Sequence, residues 1–74
     1  MQSKDIGNIV RQARKNQHLT QQTLAAAADV STRFVHDLER GKATVELGLT
    51  LRVLASLGIE VSLLAAEVVE GREQ

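Results

Sequence analysis

The stretch LTQQTLAAAADVSTRFVHDLERGK, running from Leu19 to Lys42, decides how this chain is read. Thr20 precedes a helix-favouring run of Gln21, Gln22, Thr23, Leu24 and the alanines 25 to 28, and its hydroxyl is suited to accept from the backbone N–H groups that open a helix. Asp29-Val30-Ser31 interrupts the run, because Asp tolerates the left-handed conformation of a tight turn and Ser31 can cap a second helix. That second helix, over 32–40, turns Val35 and Leu38 inward, and Gly41 supplies its left-handed stop.

Working outward, Ile6, Ile9, Val10 and Ala13 follow the spacing of one buried stripe and predict a helix over 4–17, with Ser3 as its cap and Asp5 placed well for the helix dipole. After Lys42, Thr44 is the expected cap of a last helix that reaches Leu57 and stops at Gly58. Gly7 and Gly48 fall inside predicted helices, where each costs about 1 kcal/mol relative to Ala, and so mark expected points of close helix approach.

The last helix carries two apolar stripes, Leu47, Leu51 and Leu54 on one side and Leu49, Val53 and Leu57 roughly opposite. A chain of 74 residues has helices enough to cover one of them, so a second copy is expected to cover the other, with Leu49, Val53 and Leu57 facing it. Beyond Gly58, Ile59-Glu60-Val61-Ser62-Leu63 alternates as a half-buried strand does. A lone strand leaves its backbone groups unpaired, which predicts antiparallel pairing across a two-fold axis through Ile59, Val61 and Leu63; a fifth helix through Leu63, Leu64 and Val68 is the competing reading. The expected organisation is therefore a helical domain over 1–58, a dimerisation strand over 59–66 and a polar tail over 67–74.

Composition narrows the function. Hydrophobic residues make up 43% of the chain and are nearly all Leu, Ala, Val and Ile, a helical core composition. Phe34 is the one aromatic residue and is expected to be buried rather than to stack on a base. The absence of Cys, with His18 and His36 as the only imidazoles, argues against a metal site or cofactor, and the residue set offers no catalytic constellation, so no enzyme is expected. No apolar run is long enough to cross a membrane, and the N-terminus does not read as a signal peptide, which implies a cytoplasmic protein. The net charge is zero, yet residues 1–42 hold seven basic against four acidic groups and residues 43–74 two against five. A basic half suits a polyanion; a chance asymmetry of a solvated surface is the plainer alternative.

Two short helices joined by a three-residue turn, the second opening on polar side chains, describe a helix-turn-helix whose second helix can enter a DNA major groove. Residues 5–57 resemble the phage-repressor-like (Xre/Cro) transcription regulators: Gln21 opens the first motif helix, Ala25 sits at the helix crossing, Val30 comes after the turn, Val35 and Leu38 point inward, and Glu39, Gly41 and Lys42 close the unit. Asp29 stands where that family usually has Gly. Lys42-Ala43-Thr44 and the segment from Leu51 to Val61 are similar to a narrower group, the HipB-like antitoxins of type II toxin–antitoxin modules.

The resemblance implies an all-α, lambda-repressor-like four-helix domain with a short C-terminal strand pairing across a homodimer. It implies a repressor that binds a palindromic operator in double-stranded DNA, represses its own operon and binds a HipA-like kinase toxin. By position, Gln21 looks like a phosphate contact, Thr32, Arg33, His36 and Asp37 like the groove-facing set with Ser31 beside them, and Lys15 and Lys42 like phosphate contacts or simply solvated lysines. Arg33 could pair with guanine and Thr32 with a thymine methyl or a phosphate. Asp37 could accept from a cytosine amino group or form an i,i+4 ion pair with Arg33, while Arg14 and Glu39 sit where similar repressors join two helices by an ion pair. Two other readings stay open: a repressor without a toxin, and an adaptor that has lost DNA binding, as the neutral net charge would suit.

Overall fold

The computed structural model describes residues 1–63 and forms four helices, α1 (Ser3–Asn16), α2 (Gln21–Ala28), α3 (Thr32–Glu39) and α4 (Leu47–Ser56). The α2–turn–α3 unit forms as its sequence dictates. Thr20 Oγ1 accepts from Thr23 N at 3.0 Å and Ser31 Oγ from Phe34 N at 3.0 Å, so each helix begins on a hydroxyl cap. Asp29 takes the left-handed conformation with φ 59°, and Gly41 does so with φ 82°.

The other two helices begin one to two residues from the expected places. Gln2, not Ser3, is the N-cap of α1, and its backbone N–H donates to the Asp5 carboxylate at 2.7 Å. Glu46, not Thr44, caps α4, accepting from Leu49 N at 2.7 Å. At both starts a carboxylate, a charge-assisted acceptor that also suits the positive end of the helix, takes a backbone N–H, Asp5 from Gln2 and Glu46 from Leu49, and the helix begins there rather than at the hydroxyl.

Val10, Leu24, Ala25, Ala28, Val35, Leu38, Val53, Leu54 and Leu57 form the core, with Ile6, Ala13, Leu19, Val30, Phe34, Val45 and Ile59 packed around it. Phe34 is thus half-buried against the core, as a lone aromatic was expected to be. Ile9 leaves the expected stripe and is 47% exposed, because α1 is rotated to turn Gly7 and Arg14 towards α3. A Cβ on Gly7 would lie 2.9 Å from the Glu39 carbonyl oxygen and closer still to that of Leu38, so this glycine does mark a close helix approach. Gly48 does not; its neighbour is the Glu46 cap carboxylate.

The two expected stripes of α4 are not divided between core and partner. The core face falls between them, at Thr50, Val53, Leu54 and Leu57. Val53 is 0% exposed and Leu57 5%, so neither is available to a second copy, and Leu49 is half-buried. Leu47, at 70% exposed, Leu51, at 43%, and Ala55 form the outward edge instead. No strand occurs among the described residues: Ile59 closes onto the end of α4, its N–H donating to Leu54 O at 2.9 Å, while Val61 and Leu63 are exposed. Residues 64–66 of the expected strand, most of the competing fifth helix and the tail over 67–74 lie outside the described residues.

Gly7→Ala tests the α1–α3 contact. Helix propensity alone would gain about 1 kcal/mol. Overpacking against two backbone carbonyls should outweigh that gain and leave the variant about 1–2 kcal/mol less stable in urea denaturation. A stabilised variant would contradict the close crossing.

Candidate nucleic-acid interface

The polar groups that hold the candidate surface in place begin at the end of α1. Arg14 makes a two-pronged ion pair with Glu39, Nε to Oε2 at 2.6 Å and Nη2 to Oε1 at 3.0 Å, and its Nη1 donates to Leu19 O at 2.9 Å. Gln21 Nε2 donates to Glu39 Oε1 at 3.1 Å. One carboxylate therefore ties the end of α1, the start of α2 and the end of α3. The Arg14 and Glu39 side chains are only 12% and 4% exposed. Burial pushes the Glu39 carboxyl up, but hydrogen bonds from Arg14 and Gln21 and the charges of Arg14 and Arg11 outweigh it and leave it below its ordinary value. The hydrogen bond to Glu39 is the main cause of the raised Arg14 guanidinium, against a smaller opposing effect of burial.

With its inner face fixed by Val35, Leu38 and Glu39 and flanked by the half-buried Phe34, α3 turns a polar face outward. Thr32, Arg33, His36 and Arg40 are exposed. At 100° per residue they occupy an arc of about 100°, with Asp37 at its edge. Asp37 is half-buried between two cations, Oδ1 at 3.3 Å from Arg33 Nε and Oδ2 at 3.7 Å from Lys42 Nζ. Its ion-pair reading is thus realised. Ser31 spends its hydroxyl on the cap of α3, and Gln21 spends an amide N–H on Glu39. Lys15 is exposed in the last turn of α1.

Three further side chains, none of them singled out by the sequence pattern, belong to this region. Arg11 and Arg40 are exposed and line an open notch of about 310 Å³ together with Arg14, Gln21, His36 and Glu39. Arg40 was legible at i+4 from His36, and Arg11 one turn before Arg14. Arg52 had no local signal. From α4 its Nε donates to Ala28 O at 3.1 Å and its Nη2 to Asp29 O, and Nη2 also lies 3.1 Å from Asp29 Oδ2. It thereby satisfies carbonyls that the end of α2 leaves without helical partners. Among the described residues no cluster of His, Asp and Glu could hold a metal ion, and no helix is long and apolar enough to cross a membrane.

Glu39 gives the domain a pH signature. Because its folded pKa is depressed, its contribution is present above the ordinary carboxylate range of about 4.3 and is lost as pH falls through the lower folded value. Glu39→Gln should cost about 3 kcal/mol at neutral pH and flatten the loss of stability as pH falls below the ordinary carboxylate range. Replacing both partners with Met should recover much of the loss, since no buried charge is then left alone. Urea melts across pH check both; an unchanged acid slope in Glu39→Gln would exclude this carboxylate as its source.

A helix-turn-helix family profile matches residues 10–64. An uncharacterized HTH-type transcriptional regulator of Sinorhizobium fredii, y4mF, is 49% identical over 61 residues, covering 82% of this chain and 80% of that protein. The immunity repressor protein of Bacillus phage phi105 is 34% identical over 62 residues, covering 84% of this chain and 43% of the repressor. The profile takes in α2, the Asp29 turn, α3 and α4, the elements that frame the polar face just described. On that match and the agreement of its fold, the chain belongs to the Xre/lambda-repressor-like helix-turn-helix family.

Proposed function

We propose that this chain is a homodimeric transcriptional repressor that reads a palindromic operator with α3 and serves as the antitoxin of a type II toxin–antitoxin module. The observation that carries the DNA reading is the exposed face of Thr32, Arg33, His36 and Arg40 on a helix whose other face is locked into the core. Arg33, with its side chain 81% exposed, is the base-reading guanidinium, bidentate to guanine O6 and N7. Thr32 and His36 read beside it. Arg11, Arg40, Lys15 and Lys42 meet phosphates, and Gln21 does so with the amide atoms that Glu39 leaves free. A relative named as an immunity repressor supports repression as the outcome.

The outward edge of α4 supports the dimer: Leu47, Leu51 and Ala55 leave apolar surface along one side of the helix that a second copy would bury, and Val61 and Leu63 are exposed as well. To read a palindrome, two such copies need their α3 helices about 34 Å apart, one turn of duplex DNA. The likeness of Lys42-Ala43-Thr44 and of the segment from Leu51 to Val61 to HipB-like antitoxins supports a HipA-like kinase as the protein partner. The role is one of binding, with no catalytic group and no cofactor. Co-purification of a kinase encoded in the adjoining reading frame tests the antitoxin part; a repressor that elutes alone would stand without it.

Arg33→Ala should relax preference at one base pair of each half-site, costing about 1–3 kcal/mol per half-site, in a binding-site selection. Unchanged preference would remove Arg33 from base reading. Leu51→Asp should leave the fold intact, since Leu51 is already 43% exposed, yet give monomers in sedimentation and at least about tenfold weaker operator binding. A dimer that survives this change would place the interface elsewhere.

A further inference from the structure

The charges on the candidate DNA face do not add up to a simple positive patch. Arg33 and Lys42, the two cations on either side of α3's outer edge, converge on the same carboxylate, Asp37. Asp37 is 21% exposed at its side chain, while Arg33 is 81% and Lys42 53% exposed. The anion therefore sits recessed between two solvent-facing cations. Lys42 is held near by the backbone as well, its N–H donating to the Asp37 carbonyl at 3.1 Å.

Any duplex offers phosphates to both cations. If Arg33 and Lys42 swing to phosphates, the Asp37 carboxylate is left facing a polyanion with no counter-charge; if they stay, two phosphate contacts are forgone. Either outcome weakens binding to arbitrary sequence. A site that presents a cytosine amino group opposite Asp37 supplies the missing hydrogen-bond donor and releases both cations to the DNA. We propose that Asp37 is a specificity-determining residue that suppresses sequence-independent DNA binding by restraining Arg33 and Lys42, and that a base-edge donor lifts the restraint. This rests on the proposal that α3 reads duplex DNA, and it assigns to Asp37 a repulsive role in addition to any attractive contact.

Asp37→Asn keeps the size and the hydrogen-bonding capacity of the side chain while removing its charge. The wild-type protein is first taken through selection from a random duplex pool; the most enriched duplex and a random-sequence duplex are then titrated with wild type and variant across a salt series. The variant should bind the random duplex about tenfold more tightly at low salt, with a salt slope steeper by about one to two phosphates' worth, while affinity for the enriched duplex changes less. The ratio of the two affinities should fall accordingly. Equal loss on both duplexes, or unchanged affinity for the random duplex, would overturn the restraint while leaving DNA reading by α3 in place. A wild-type protein that binds neither duplex would overturn the DNA reading itself and the restraint with it. Asp37→Ser, which also lacks the charge, guards against an effect peculiar to Asp37→Asn and should raise random-duplex affinity in the same way; thermal melts confirm that each variant is folded.

Discussion

Two opposite charges are held almost out of water where α1 meets α3, and the arrangement of the three N-terminal helices depends on them. Arg14 and Glu39 each lose hydration that neither could recover alone, so the pair holds only while its geometry is kept. The geometry is tight because α1 presents no side chain at Gly7, which lets the helix close onto the carbonyls of Leu38 and Glu39. Leu19 O and the Gln21 amide complete the hydrogen bonding of the pair. A constraint built from planar, directional groups fixes the rotation of α3 about its own axis, which apolar packing at Val35 and Leu38 alone would define less sharply.

That rotation decides which side chains α3 offers to solvent. With Glu39 turned inward, Arg40 must point out, and Thr32, Arg33 and His36 share its side. The same carboxylate thus organises the core and selects the outer face. Charge on that face is then trimmed locally: Asp37 sits between Arg33 and Lys42, and the neutral net charge of the whole chain conceals a basic surface with one recessed anion.

Much of this was legible in the sequence where a residue type has one local use. The hydroxyl caps at Thr20 and Ser31, the left-handed Asp29 and the stop at Gly41 depend on neighbours a few residues away, and all formed as read. Ser3 and Thr44 misled because Asp5 and Glu46, stronger acceptors close by, take the backbone N–H groups of Gln2 and Leu49 and fix the helix starts elsewhere. The failures of Ile9, Val53 and Leu57 are of another kind. A periodic pattern reports that a helix has apolar residues on a given side, but the angle at which its neighbours meet it is a tertiary quantity, set on α1 by Arg14 and Gly7 and on α4 by a core face lying between two stripes. At the candidate site, Thr32, Arg33 and His36 are where the motif put them, whereas the engagement of the Gln21 amide with Glu39 required knowledge of a contact 18 residues away.

The guanidinium of Arg52 reaches from α4 to the carbonyls of Ala28 and Asp29, at the hinge between the paired helices. α4 also carries the uncovered edge of Leu47, Leu51 and Ala55. Arg52 thereby joins the last helix to the turn from which α3 departs, so a displacement of α4 would strip hydrogen bonds from the carbonyls on which that turn is built.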